Sequence, residues 1–219
     1  MSYAPNGFRA ADSIPTLRFE PIRDAASGEV VGREALWGEI HQRTLEYVDR
    51  WALRTATACA RTVNEAELQT PIHIDVRAIT DADEARDLNR WLQRLDLGRQ
   101  NVALEVDAAL ALARPETVTP FAQAVRRLGF EIVLDHVRDS NGLRGHPALD
   151  HCGAIKIDAT AIAAASQTMA AADNVREIVA TAHAAGLYAI ACGVLDSRTW
   201  QAVRELGCDR VQRIVKPAI

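Results

Sequence analysis

Residues 102–136 read VALEVDAALALARPETVTPFAQAVRRLGFEIVLDH. VALEVD (102–107) reads as a strand closed by an acid, and RPETVTPFAQAVRRLG (114–129) as a helix that Gly129 ends. FEIVLDH (130–136) reads as the next strand. Strand, helix and strand at this spacing are the unit of a parallel sheet covered by helices. The strands are apolar on both sides of the polar residue that ends each one, as expected of strands buried on both faces.

The same rhythm extends outward. Upstream, PIHIDVR (71–77) is a strand and DADEARDLNRWLQRLDL (81–97) a helix whose acidic first turn suits the helix dipole. RTLEYVDRWALRTATACARTV (43–63) sets Leu45, Val48, Trp51, Ala52, Ala56 and Cys59 at helical spacing. TLRFEPIRD (16–24) and VVGREAL (30–36), separated by AASGE, form a hairpin. Downstream, AIKID (154–158), LYAIACG (187–193) and RVQRIV (210–215) are strands; NVREIVATAHAAG (174–186) and SRTWQAVRELG (197–207) are helices. About eight strand units favour a closed α/β barrel, a modified TIM (β/α) barrel, over an open doubly wound sheet. Residues 1–15, with Pro5, Gly7 and Pro15 and no periodicity, read as a loose leader, and 16–219 as one domain.

Composition agrees with one large domain. The chain has 219 residues, 48% of them hydrophobic, enough for a sizeable core. The net charge of −4 argues against a broad face for a nucleic-acid polymer. No apolar run reaches the roughly 18 residues of a membrane helix, and Met1 to Pro15 lacks the features of a signal peptide. The cysteines, at 59, 152, 192 and 208, form no C-x-x-C pair. A cytoplasmic location with free thiols is expected.

The polar residues at the strand ends carry the chemistry: Glu34, Asp75, Glu105, Asp135 with His136, Lys156 with Asp158, Cys192 and Gln212. In a β/α barrel the carboxyl ends of the strands meet at one mouth. One acid there is ordinary loop polarity. Four on successive strands repel one another unless a cation neutralises them. Carboxylate oxygens suit Mg2+, Mn2+ or Ca2+, and Lys156 could offset charge or hold a water. Such a set suits metal-assisted attack of water on a phosphodiester.

These same residues carry a resemblance. EPIRDAASGEVVGREAL (20–36) resembles the opening of EAL domains, the phosphodiesterases that linearise cyclic di-GMP, with the signature itself at Glu34-Ala35-Leu36. LEVD (104–107) resembles the segment of a second metal-binding glutamate, here Glu105. LDHVRDSNGLRGHPALDHCGAIKID (134–158) resembles the paired-aspartate loop and lysine strand, and IACGVLDSRTWQAVRELGCDRVQ (190–212) the late strand–helix–strand ending in Gln212. The resemblance implies a barrel in which Glu34, Asp75, Glu105 and Asp135 hold a first metal, Mg2+ or Mn2+, and Lys156 assists the water. Glu20, Leu36, Gln212 and Arg213 fall at ligand-binding positions.

The departures from that pattern bear on activity. Asp75 stands where the family has asparagine, His136 for the second aspartate of the pair, Ala108 for a glutamate, and Cys192 for the late glutamate. Glu20 replaces a glutamine, Gly38 an arginine, and Arg213-Ile214 a Gly-Tyr. The stretch between Leu36 and Trp51 is short. The anionic part of a second metal site is therefore lost, although His136 remains an additional metal candidate. The expected function is that of a degenerate, non-catalytic regulator in cyclic di-GMP-related bacterial signalling that acts through a protein partner. The alternative is a cyclic di-GMP receptor or weak metal-dependent phosphodiesterase. A third reading has His136, Cys192 and the carboxylates as a zinc or iron site. A homodimer is also admitted, because EAL domains often pair through mouth elements.

Overall fold

The computed structural model describes residues 17–37, 72–75 and 102–212. The expected leader, the helices at 43–63 and 81–97, Gly38 and Arg213 lie outside the described residues. Eight strands close into a barrel in chain order: β1 Leu17–Asp24, β2 Val30–Trp37, β3 Ile72–Asp75, β4 Val102–Asp107, β5 Glu131–Val137, β6 Ala154–Ile157, β7 Tyr188–Ala191 and β8 Arg210–Gln212. β1 runs antiparallel to both of its neighbours, β2 and β8. Every other neighbouring pair is parallel.

The β1–β2 hairpin forms because its turn satisfies its own backbone. Asp24 Oδ1 accepts from the N–H groups of Ala26 and Ser27 at 3.0 and 2.7 Å. Gly28 adopts φ +76°, a left-handed conformation in which an ordinary residue would be strained.

Among the described residues five helices follow the strands: α1 Ala108–Ala113, α2 Pro115–Arg127, α3 Ala159–Ala165, α4 Met169–Ala184 and α5 Ser197–Glu205. α2 has Pro115 at its start, Glu116 in its first turn and Arg126 and Arg127 in its last, the charge order that the helix dipole favours. The short helices α1 and α3 were not expected. Each follows its strand directly and is started by an acid. Asp107 Oδ1 accepts from Leu110 N at 2.9 Å, and Asp158 Oδ1 from Thr160 N at 2.8 Å. Asp158 is therefore a helix cap. None of the described helices is long and apolar enough to cross a membrane.

Alternation along the strands sorts the core into two parts. One set of side chains, including Leu104, Val106, Ile132, Leu134, Ile155 and Ile157, packs with Val118, Phe121 and Val125 of α2 and Val175 and Ile178 of α4 in the main cluster. A smaller cluster of Ile22, Ala103, Val133, Ala154 and Ile190 fills the barrel interior. Two residues further along the parallel strands, on the same face, come Glu105, Asp135 and Lys156. The apolar interior layer is thus the floor of a polar one.

Candidate active site

The polar layer is built around Lys156. β6 is buried along its whole length, and Lys156 is 2% exposed. Its Nζ donates to Glu34 Oε2 at 2.9 Å and to Glu105 Oε2 at 2.8 Å, and lies 3.8 Å from Asp135 Oδ2. The three acids come from β2, β4 and β5, and all are buried. The structure therefore brings together four of the residues expected at the mouth, with the ammonium at their centre.

Gln212, from β8, donates from Nε2 to the same Glu34 oxygen that Lys156 uses. Glu20 is buried on β1 directly opposite Glu34. Leu36 is partly buried further along β2. Asp75 pairs in register with Glu105 on β4, so its backbone stands at the same level of the barrel.

The side where the resemblance put a second metal looks different. His136 sits in a bulge: the β5–β6 register shifts between Leu134 and Val137, and His136 adopts φ +59°. That left-handed conformation is uncommon outside glycine, though histidine tolerates it better than most. The bulge turns the imidazole outward, to 49% exposure, while Asp135 and Val137 stay buried. His136 Nδ1 lies 3.5 Å from both Asp107 Oδ2 and Asp135 Oδ2, beside an open pocket lined by Asp107, Ala108, Leu112, His136, Arg138 and Asp139 among others. Cys192 lies just past β7, its Sγ donating to Gln212 Oε1 at 3.6 Å.

One member was missed. His73, inside β3, is buried, and its Nδ1 lies 3.0 Å from Glu105 Oε1. Both oxygens of Glu105 are therefore engaged, one by His73 and one by Lys156. The signal was present: His73 lies two residues before Asp75 in the same predicted strand. His73 pairs in register with Ala103, a small residue of the interior cluster. Asp107 was also passed over, and it now faces His136 as well as capping α1.

Charge within the cluster follows from burial and neighbours. Burial alone disfavours the Lys156 ammonium, but Glu105, Glu34 and Asp135 outweigh it and hold its pKa well above the usual range. Burial likewise opposes ionisation of Glu34, yet Lys156 and the Gln212 hydrogen bond bring its pKa below normal. Asp135, farther from the ammonium, is pushed up to about 6, by burial first, with Glu105 adding to it. Burial, followed by repulsion from Lys156, pulls His73 down to about 4, so a neutral ring donates from Nδ1 to the carboxylate. Burial raises the Cys192 thiol well above its ordinary value and keeps it protonated.

A metal fits this described set poorly. The ammonium already stands within hydrogen-bond reach of two carboxylates and within 3.8 Å of a third. A divalent ion entering among the same oxygens would meet a fixed positive charge at about 4 Å, a repulsion of several kcal/mol even at an effective dielectric of about 20. Among the described residues no group of three or more His, Cys, Asp and Glu is arranged to hold a metal ion, and that includes a zinc or iron set built on His136 and Cys192.

A family model described as the EAL domain matches residues 11–212. An uncharacterised protein of Azorhizobium caulinodans is 25% identical over 224 residues, covering 91% of this chain, and the chain spans 30% of that protein's length. The EAL domain of Mycobacterium smegmatis DcpA superposes with a TM-score of 0.77 at 23% identity, over 91% of this chain and 90% of that one. Klebsiella pneumoniae BlrP1, in a manganese and cyclic di-GMP complex, superposes with a TM-score of 0.78 at 18% identity, over 96% of this chain and 57% of that one. The EAL domain of Xanthomonas citri FimX, in complex with cyclic di-GMP, gives 0.76 at 16% identity, over 91% and 85%. At these identities the three structures speak for the fold.

Proposed function

This chain belongs to the EAL domain family, and from that premise we propose that it is a non-catalytic regulator in cyclic di-GMP-related signalling that works through a protein partner. The observation that carries this reading is the position of Lys156. Its ammonium is engaged by Glu34 and Glu105, the carboxylates that the family pattern would give to a first metal. The second-metal side is reduced in parallel: His136 is turned outward in a bulge, and a protonated thiol, Cys192, stands for the late glutamate. In-line hydrolysis needs the attacking water and leaving oxygen clamped by well-placed ions, and misplacement of about 1 Å costs on the order of a hundredfold.

Charge argues the same way for the ligand. Three carboxylates against one ammonium leave the mouth anionic, and a dinucleotide with two phosphates is also anionic. Binding would have to overcome that repulsion without an added cation.

A second reading rests on a different observation. Glu34, Glu105, Asp135, Lys156 and Gln212 still converge on one point. That convergence supports a cyclic di-GMP receptor, or a slow phosphodiesterase using Mg2+ or Mn2+ with Asp75 as a further ligand.

Two measurements separate the readings. Chromatography of cyclic di-GMP incubated with the protein and Mn2+ should show no linear product above the protein-free control; steady turnover that Glu34→Gln abolishes would refute the regulator reading. Calorimetry with cyclic di-GMP should show no heat at sub-millimolar protein, and saturable heat would favour the receptor.

A further inference from the structure

We propose that Lys156 is the resident cation of this site: a strand-tethered ammonium that does the neutralising work of a divalent ion, so that the native protein takes up no metal among Glu34, Glu105 and Asp135. The inference goes beyond the regulator reading, because a non-catalytic EAL domain could still keep a structural metal.

The geometry carries it. A cation site is defined by which oxygens converge on one point, and here that point is Nζ, with contacts of 2.9, 2.8 and 3.8 Å to three carboxyl groups from three strands. Further oxygens of the three acids are engaged by other described residues. Glu105 Oε1 is held by His73. Glu34 Oε2 also accepts from Gln212. Asp135 Oδ1 accepts from the backbone N–H of His136 at 2.8 Å. An ion at that same point would have to displace Lys156, which is 2% exposed on a strand buried along its length. Its stem rises from the apolar interior layer that holds Ala154, two residues before it.

The consequence is a latent metal site. With the ammonium removed, three buried carboxylates face one another without a counter-charge, the condition that makes acids collect a hard divalent cation. The Lys156→Met variant keeps a chain of similar length and apolar character but no charge. It is expected to unfold at a lower temperature than the native protein in EDTA, to recover part of the difference in millimolar Mn2+, and to bind Mn2+ at least about tenfold more tightly than the native protein.

The test uses the full chain, with Mn2+ as the probe. The electron paramagnetic resonance signal of free Mn2+ is titrated against native protein, Glu105→Gln and Lys156→Met, and thermal unfolding is followed in EDTA and in Mn2+. The inference stands if native protein leaves the free-ion signal undiminished, or lowers it only to an extent that Glu105→Gln leaves unchanged, with an unfolding midpoint that is the same in EDTA and Mn2+. One equivalent of Mn2+ bound by native protein and lost in Glu105→Gln overturns it. If Lys156→Met does not fold, the comparison of native protein with Glu105→Gln still decides the matter. Native protein that binds Mn2+ at this site yet turns over no cyclic di-GMP would remove this inference and leave the regulator reading intact.

Discussion

At the scale of single residues, the buried cluster sets two titrations against each other. His73 has its pKa drawn down to about 4 from its ordinary value of 6.5, and Asp135 has its own pushed up to about 6 from 3.8. Between pH 6.5 and 4 the unfolded chain protonates His73 while the folded one does not, so this residue makes stability fall as the pH falls. Asp135 does the reverse. Its folded form takes up a proton near pH 6 that the unfolded chain refuses until near 4, so it makes stability rise as the pH falls. Glu34, held below its ordinary value, stays ionised in the folded state through this window and withdraws its contribution only in stronger acid. The two substitutions His73→Gln and Asp135→Asn should uncover one slope each. A glutamine amide can still donate to Glu105, and an asparagine oxygen can still accept from His136 N. Urea unfolding between pH 7 and 5 should show His73→Gln gaining stability on acidification and Asp135→Asn losing it, each relative to native protein, with slopes of at most about 1.4 kcal/mol per pH unit. Parallel curves for all three proteins would show that these groups do not titrate as their surroundings imply.

At the scale of elements, the segment after β5 is tied down by α4. Ser140 N donates to Asn174 Oδ1 at 3.1 Å, Asn174 Nδ2 donates to Arg138 O at 2.9 Å, and Ser140 Oγ donates to Glu177 Oε2 at 3.0 Å. Asn174 thus bridges two backbone groups of the loop from one helix face. Asn174→Ala should cost about 1–2 kcal/mol through two lost hydrogen bonds on a partly exposed surface. Its sharper signature is local: hydrogen exchange should speed up over residues 138–146 while α4 keeps its protection. Uniform acceleration across α4 would mean that the helix, not the loop, depends on this residue. The same elements show how much of the fold could be read from the chain. The strand–helix rhythm, the hairpin and the position of every described strand were legible, because the parallel strands are short, largely apolar segments set between helical patterns and the first two flank a Gly-containing turn. α1 and α3 were not, because AALALA and ATAIAAA follow a strand without a break, and the acid that caps each helix also reads as a strand end. His73 escaped for a related reason. Attention to strand ends finds the residues at the mouth, whereas His73 lies inside β3, and its partner Glu105 is 32 residues away. That Lys156 stands between Glu34 and Glu105 depends on barrel register and was invisible in the one-dimensional pattern.

At the scale of the whole molecule, one hydrogen bond spans the barrel's closure. Gln212 Nε2 donates to Glu34 Oε2 across 178 positions of sequence, from β8 to β2. β1 lies between those strands in the ring and pairs with both, Glu20 opposite Glu34 and Ile22 opposite Gln212. The backbone ladder on the β8 side is short, three paired positions, so side-chain contacts through the interior are well placed to reinforce it. Glu34 also accepts from Lys156, which links the closure to the parallel half of the barrel at β6. Residues in one hydrogen-bond network couple, commonly by about 0.5–3 kcal/mol, whereas distant independent sites add. Glu34→Gln and Gln212→Ala, alone and together, should therefore be non-additive in urea unfolding: once either partner is altered, changing the other should cost less. Hydrogen exchange gives the spatial half of the test. Gln212→Ala should lower protection in β2 as well as in β8, although the substitution lies at the far end of the chain from β2. Additive energies, with loosening confined to β8, would mean that the barrel is closed by its backbone ladder alone and that the polar layer is a passenger on it.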